Sequence, residues 1–310
     1  MLNVPIFTYE AYASKLNYND AVEALYAGHK RPKAEITDMF LDSTATTLLS
    51  RGAYVQGLGY GVKSVTIATD NAAQGLPTVQ GALLLFTSDT GALSAIIESA
   101  LVTEYKTAAD SVLGATLLAR PDSRHLLVVG AGAVARSLIH AYCTVFQEIE
   151  QVSIWARRTE QAEALAASFQ DLFCPITVQT ELAVAASKAD IIATATMARE
   201  PILCGDWITP GTHIDLVGAF KADMREADDK LMSTGHLFVD CFETTVTHIG
   251  ELMIPIHSGA ISFEDVRADL YGLICGTAPG RQSDKEITVF KNGGGAHLDV
   301  MMAHYITSTQ

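Results

Sequence analysis

Positive charge is scarce in this chain. Lysine and arginine total 21 against 35 aspartates and glutamates, a formal net charge of −14. Such a balance argues against nonspecific attraction to nucleic acid or to an anionic membrane. An anionic ligand must therefore meet a local cluster of cations. Cysteine is also sparse: Cys143, Cys174, Cys204, Cys241 and Cys275 are odd in number, scattered, and never spaced as Cys-x-x-Cys. That pattern suggests neither a disulfide framework nor a zinc site, and it fits a reducing cytoplasm. The N-terminus lacks the basic-then-apolar pattern of a secretory leader, and no apolar run approaches the roughly 20 residues that span a bilayer. The nine histidines form no His-Glu-x-x-His or other metal-ligand spacing. No serine or cysteine has a recognisable base partner, which removes support for covalent catalysis. There are no internal repeats and no low-complexity tracts.

What is present is a glycine-rich turn, Gly130-Ala131-Gly132-Ala133-Val134-Ala135, placed after an apolar run and before a helical pattern. In a dinucleotide-binding turn the first glycine allows the tight bend and the second lets the backbone approach the pyrophosphate. A small third residue, here Ala135, lets the helix pack closely, and the helix N-terminus supplies amide donors. The context supports this reading. Strand-like runs at 126–129, 152–155, 176–178, 191–195, 214–217 and 237–239 alternate with helical patterns at 133–146, 161–169 and 182–187, as in a parallel sheet covered on both faces.

The first 105 residues read differently. A helix is expected over 20–27, then strands at 58–67, 78–86 and 95–97, separated by turn signals. A long helix over 104–118 leads into the nucleotide region, and Gly293 to Gly295 break the chain before a last helix over 297–305. With 49% hydrophobic residues in 310, the chain can bury a core of this size. The fold class is thus α/β, a Rossmann-like parallel sheet domain over 117–295 plus a second α+β domain made of 1–116 and 296–310.

At the end of the second parallel strand, an NAD-selective site would carry a carboxylate for the ribose 2′-hydroxyl. This chain has Arg157, Arg158 and Thr159 there. Charge-assisted hydrogen bonds contribute about 1.5–3 kcal/mol each, so one arginine contact would favour NADP(H) roughly tenfold or more, with NAD(H) still acceptable. The alternative is that two exposed arginines merely open a helix, although the helix dipole disfavours cations there. Thr196, Met197, Val217 and Gly218 lie at the carboxyl ends of parallel strands, where such sheets bind ligands, and would wall the nicotinamide.

Six segments taken in order resemble the ornithine cyclodeaminase and mu-crystallin family: Gly61-Val62-Lys63-Ser64, Lys106-Thr107-Ala108-Ala109, the Gly130 turn, Asp190-Ile191-Ile192, Pro210-Gly211-Thr212-His213 and Phe290-Lys291-Asn292-Gly293. The resemblance covers nearly the whole chain. It implies a homodimer in which the second domain carries both the subunit contact and the substrate. It further implies that Lys63 anchors a substrate carboxylate, that Lys106 assists where many relatives have arginine, and that Lys33 or Arg31 supplies a third cation. A lysine neutralises a carboxylate but cannot make arginine's planar two-pronged contact. Thr107, Gly130, Gly132, Ala133, Val134, Lys291 and Asn292 would line the cofactor. Asn292 and His297 would face the substrate, His297 as a candidate proton donor, and Asp299 would cap or orient a site group. His213, beside a buried strand, reads as structural.

One departure separates the activities that the family includes. Its cyclodeaminases carry a catalytic aspartate within Gly-Gly-Asp, whereas the matching stretch here is Gly218-Ala219-Phe220. Phe220 cannot move a proton, and cyclising ornithine with loss of ammonia needs an acid/base group. Reducing a preformed cyclic imine asks only for hydride at C2, a cation on the carboxylate and a proton on nitrogen. The stretch from Gly218 to Asp229 looks most like the branch that reduces Δ1-pyrroline-2-carboxylate to L-proline, often also the six-membered imine to L-pipecolate. The expected protein is therefore an NAD(P)H-dependent oxidoreductase acting on C=N bonds of small imino acids. Alternatives are ornithine cyclodeaminase, an acyclic imino acid reductase or amino acid dehydrogenase, and a noncatalytic protein that binds NADPH and a small ligand. Asp223, Arg225, Glu226, Asp228 and Asp229 read as a charged helix start rather than as a displaced catalytic acid.

Overall fold

The structure is a computed structural model that describes residues 4–170 and 172–309. The chain divides into two compact units, Met1–Ala109 with Gly295–Gln310, and Asp110–Gly294. The division falls inside the helix Ser99–Leu118.

The first unit is built on a six-stranded sheet. Its strands are β1 (Ile6–Phe7), β2 (Glu35–Asp42), β3 (Thr47–Val55), β4 (Gly59–Ile67), β5 (Val79–Phe86) and β6 (Leu93–Glu98), in the order β1-β6-β5-β4-β3-β2. Strands β2 to β6 pair antiparallel with their neighbours, and β1 joins β6 in parallel. Alternation in β4 buries Gly59, Gly61, Lys63 and Val65 on one side, the period of two that a half-covered strand requires. The C-terminal helix Ala296–Ser308 lies against β3, β4 and the helix Tyr18–His29. That second helix starts where Asn17 Oδ1 accepts from the Asp20 amide at 2.9 Å, an ordinary side-chain N-cap. Strands β1, β2 and β3 were not expected from the sequence. β2 exposes seven of its eight residues, so no buried face stamps a period on it.

The second unit is the parallel sheet that the sequence predicts. Its strands are β7 (His125–Val129), β8 (Gln151–Trp155), β9 (Ile176–Val178), β10 (Ile191–Thr194), β11 (His213–Leu216), β12 (His236–Val239), β13 (Val266–Asp269) and β14 (Thr288–Lys291). Their order is β13-β12-β14-β11-β10-β7-β8-β9, with every pairing parallel. The core joins Leu127, Val129, Ile192, Ile214, Leu216 and Val289 to the helices packed on the sheet. Each such side chain contributes about 1.5–3 kcal/mol by leaving water. β13 and β14 are additions to the sequence reading, because four-residue runs containing Arg267 or Lys291 carry too little apolar signal.

Candidate functional site

In the parallel unit the glycine turn has the backbone geometry that its composition suggests. Gly130 has φ +131°, and a Cβ there would stand 2.5 Å from the Ala195 carbonyl oxygen, so only glycine fits. A Cβ on Gly132 would meet nothing within 4 Å. Space is open in front of it for a ligand's backbone contact. The helix Ala133–Val145 begins there with no side-chain cap, leaving its first amides for an anion. Gly132, Ala133 and Val134 are exposed while Ala135 is fully buried against the sheet. A cavity of about 240 Å³ opens beside the turn, lined by Gly130, Trp155, Arg157, Arg158, Thr196 and Met197 among others. Both arginines are exposed, and Arg158 precedes the helix Thr159–Ala167 without a side-chain hydrogen bond to it. The pocket residues fit a nicotinamide dinucleotide.

At the floor of the same unit the structure contradicts the reading of 223–229 as one charged helix start. The helix is Asp229–Thr234, capped by Asp228 Oδ1 on the Leu231 amide at 2.8 Å. Arg225 and Glu226 lie before it and are buried. A carboxylate out of water needs donors, and Glu226 has four: Thr194 Oγ1 at 2.7 Å, Thr196 N at 2.8 Å, Thr196 Oγ1 at 2.7 Å and Gly218 N at 2.7 Å. Glu251, also buried, accepts from the amides of Glu226 and Ala227. Burial, and then the charge of Glu226, push Glu251 up to about 7. Asp215 is pushed up to about 7 by burial, against the hydrogen bonds that Ser111 and Tyr142 donate to it. Lys291 is 1% exposed and donates to the Leu216 carbonyl at 2.8 Å. Burial lowers its pKa, and Glu251, Glu226, Asp240 and Asp215 oppose that. Asn292 Nδ2 donates to Ser111 Oγ at 3.0 Å. Val217 and Gly218 follow β11, and Met197 is 72% exposed. His213 bonds Thr288 Oγ1 and is held neutral by burial, its pKa falling to about 3.

The antiparallel unit gathers cations. Lys63 on β4 stands opposite Arg51 on β3 in the sheet register, and Arg51 stands opposite Asp38 on β2. Asp38 takes Arg51 in a two-pronged ion pair at 2.9–3.2 Å. Lys63 Nζ donates to Asp299 Oδ1 at 2.7 Å, and Lys106 Nζ is 3.8 Å from the same oxygen. All three side chains are almost wholly buried. Burial lowers Lys63 to about 8 against the attraction of Asp299, with Lys106 and Arg51 adding to the fall. For Asp299, burial favours the acid, but Lys63, Lys106 and Arg51 outweigh it and hold the carboxyl below its ordinary range. His297 is buried with its ring 5.3 Å from that of His29. Burial first, then His29, Lys106, Arg51 and Lys33, depress its pKa far below 6.5. That direction favours the neutral imidazole over the imidazolium. Lys33 is exposed in the turn after the helix Tyr18–His29, and Thr107 is half-buried one residue beyond Lys106.

The sequence reading missed Arg51, because recognising it requires the unexpected register of β3 against β4. It gave Asp299 an orienting role without identifying Lys63 as its partner. It also overlooked Glu226 and Glu251.

Comparison with known proteins fits this arrangement. The chain matches the ornithine cyclodeaminase/mu-crystallin family over residues 24–309. It belongs to that family. Within this family it is 58% identical over 299 residues to a Δ1-pyrroline-2-carboxylate reductase of Paracoccus denitrificans, an alignment covering 96% of this chain and 95% of the relative. Among solved structures it resembles the Thermococcus litoralis Δ1-pyrroline-2-carboxylate reductase in complex with NADH and L-proline. That match has a TM-score of 0.92 at 28% identity and covers 99% and 97% of the two chains. An archaeal alanine dehydrogenase dimer with bound NAD matches with a TM-score of 0.91 at 29% identity, over 99% and 95%.

Proposed function

We propose that this family member is an NAD(P)H-dependent reductase of cyclic 2-imino acids, converting Δ1-pyrroline-2-carboxylate to L-proline and the six-membered homologue to L-pipecolate. The observation that carries the reading is the 58% identity, over nearly the full length of both chains, to the Paracoccus reductase. The buried Lys63–Lys106–Asp299 cluster supports it chemically. Two ammonium groups lie within 3.8 Å of one carboxylate there, a local concentration of positive charge suited to a substrate carboxylate. Desolvation makes that contact stronger than it would be in water.

When bound, the dihydronicotinamide supplies the hydride that adds to C2 of the imine. The protein's share is to hold the substrate. Lys63 and Lys106 would take the carboxylate, and Asp299 keeps Lys63 charged and aimed. The ring nitrogen can arrive already protonated from solution, so no side chain is needed to donate to it. Neutral His297 would shape the site rather than act as an acid. Ornithine cyclisation finds less support: Phe220 is half-exposed where the acid is needed, and exposed Asp223 is tied to Arg199 at 2.7 Å.

Three finer expectations belong to the same reading. NADP(H) is preferred through Arg157 and Arg158. The working unit is a homodimer, which would cover the open edge of β2, where Met39, Phe40 and Leu41 are 47–59% exposed. The enzyme works in a reducing cytoplasm, in keeping with its five scattered cysteines. The test is oxidation of NADPH and of NADH by the purified protein with Δ1-pyrroline-2-carboxylate, followed in the near ultraviolet. Rapid oxidation of NADPH with formation of L-proline is expected. Oxidation with neither cofactor would overturn the reading.

A further inference from the structure

The sequence assigns Glu226 no role beyond a charged helix start, yet it is fully buried and saturated with hydrogen bonds. Its two oxygens join two separate chain segments. Oε1 takes the amide and hydroxyl of Thr196, just past β10, and Oε2 takes the hydroxyl of Thr194 and the amide of Gly218, just past β11. The segments are also in close contact. A Cβ on Gly218 would lie 2.2 Å from Thr196 O, 2.4 Å from Thr196 N and 2.5 Å from Glu226 Oε1. Beneath, Glu251 accepts both the Glu226 and Ala227 amides and so fixes the backbone that presents the carboxylate. Thr196 lines the cavity beside the glycine turn, whereas neither Glu226 nor Glu251 does.

Ionised Glu226 offers only acceptors, and four donors converge on it. No neutral side chain of the same length can satisfy them: glutamine would turn an NH₂ group toward donors. A role confined to stability would not require the bonds to converge on the ends of two adjacent parallel strands, where ligands of such sheets bind. We infer that Glu226 is a positioning residue for the cofactor, clamping the loops after β10 and β11 in the spacing that receives the nicotinamide half, while the other half is held chiefly by the Gly130 turn and the arginines beside it. The inference rests on the reading of this pocket as a nicotinamide-dinucleotide site.

It predicts a split between the two halves of the cofactor. Titration calorimetry on the full-length protein, wild type and Glu226→Gln, would compare NADH with ADP-ribose, which lacks the nicotinamide. Circular dichroism would verify the fold. The expected result is NADH binding weakened about tenfold or more, the scale of one lost charge-assisted hydrogen bond, with ADP-ribose affinity falling by clearly less. Glu226→Asp, which keeps the charge, should recover part of the NADH affinity. Should Glu226→Gln fail to fold, Gly218→Ala strains the same joint from the other side and should show the same split. Equal loss of both ligands, or no loss of either, in a folded variant would overturn the positioning role. Wild-type protein that binds neither ligand would overturn the dinucleotide reading and the inference with it.

Discussion

Both units bury charge, but with opposite surplus. In the antiparallel unit two ammonium groups, Lys63 and Lys106, share the single carboxylate of Asp299. In the parallel unit one ammonium, Lys291, lies amid Asp215, Glu226, Asp240 and Glu251. The second arrangement is satisfied from within, since hydroxyls and backbone amides donate to Asp215, Glu226, Asp240 and Glu251. Its acids are fixed by the fold and serve geometry. The first gathers two ammonium groups at one carboxylate, an excess of positive charge of the kind a substrate carboxylate would meet under the proposed function. Buried charge alone thus does not mark a substrate site. The sign of the charge gathered at each place is more informative.

Substitution of the two buried lysines should separate these roles most sharply. Lys63→Ala is expected to cut kcat/KM for the imine by about a hundredfold or more, the cost of losing a desolvated charged contact, mostly through KM. Lys291→Met is expected to act on stability. Removing one partner from a buried charged group costs about 3–5 kcal/mol, so its Tm should fall, while KM for the imine stays close to that of the wild type. Steady-state kinetics and thermal melts on both variants check this, and reversed effects would break the comparison.

Titration sharpens it next. Lys63 is lowered to about 8, so the ammonium is present below that pH and lost above it. KM for the imine should rise with an alkaline limb near pH 8, approaching tenfold per pH unit. In Asp299→Asn, which removes the supporting charge, the limb should move to lower pH. A KM–pH profile of the two proteins decides the matter.

Around the cofactor the effect should be smaller. Replacing Arg157 and Arg158 together by alanine should weaken NADPH binding about tenfold, the scale of one charge-assisted bond, and leave NADH nearly unchanged, as direct titration would show. The smallest effect concerns the acidic nest. Glu251 is raised to about 7 from 4.5. A raised folded pKa means that the native state holds a proton the unfolded chain has released. This contribution to stability is complete below pH 4.5 and is lost as pH rises through about 7. Glu251→Gln should therefore flatten part of the decline in Tm over that window, by a few degrees.

Much of this organisation could be read in the amino acids, for unequal reasons. The parallel unit was legible because each of its central strands is an apolar run and Gly130 punctuates the first one. The expected and observed bounds of the helix after that turn differ by one residue, 133–146 against Ala133–Val145. The edge of the other sheet was not legible, since β2 is exposed along both faces. Lys63 and Lys106 were found through motif resemblance, whereas Arg51 becomes visible only once β3 is paired with β4. Glu226 was hidden for another reason. Its neighbours Asp223, Arg225, Asp228 and Asp229 make a charged stretch that reads as surface, and only the fold turns Glu226 inward.

The claim that the cation surplus exists to hold a carboxylate can be tested by removing the carboxylate instead of the cation. The measurement is kcat/KM for Δ1-pyrroline-2-carboxylate against unsubstituted 1-pyrroline, in wild type and in Lys63→Ala. The expected preference for the carboxylate is about a hundredfold or more in wild type, collapsing severalfold or further in the variant because both halves of one contact are then missing. Equal rates on the two imines in wild type, or an undiminished preference in Lys63→Ala, would contradict it.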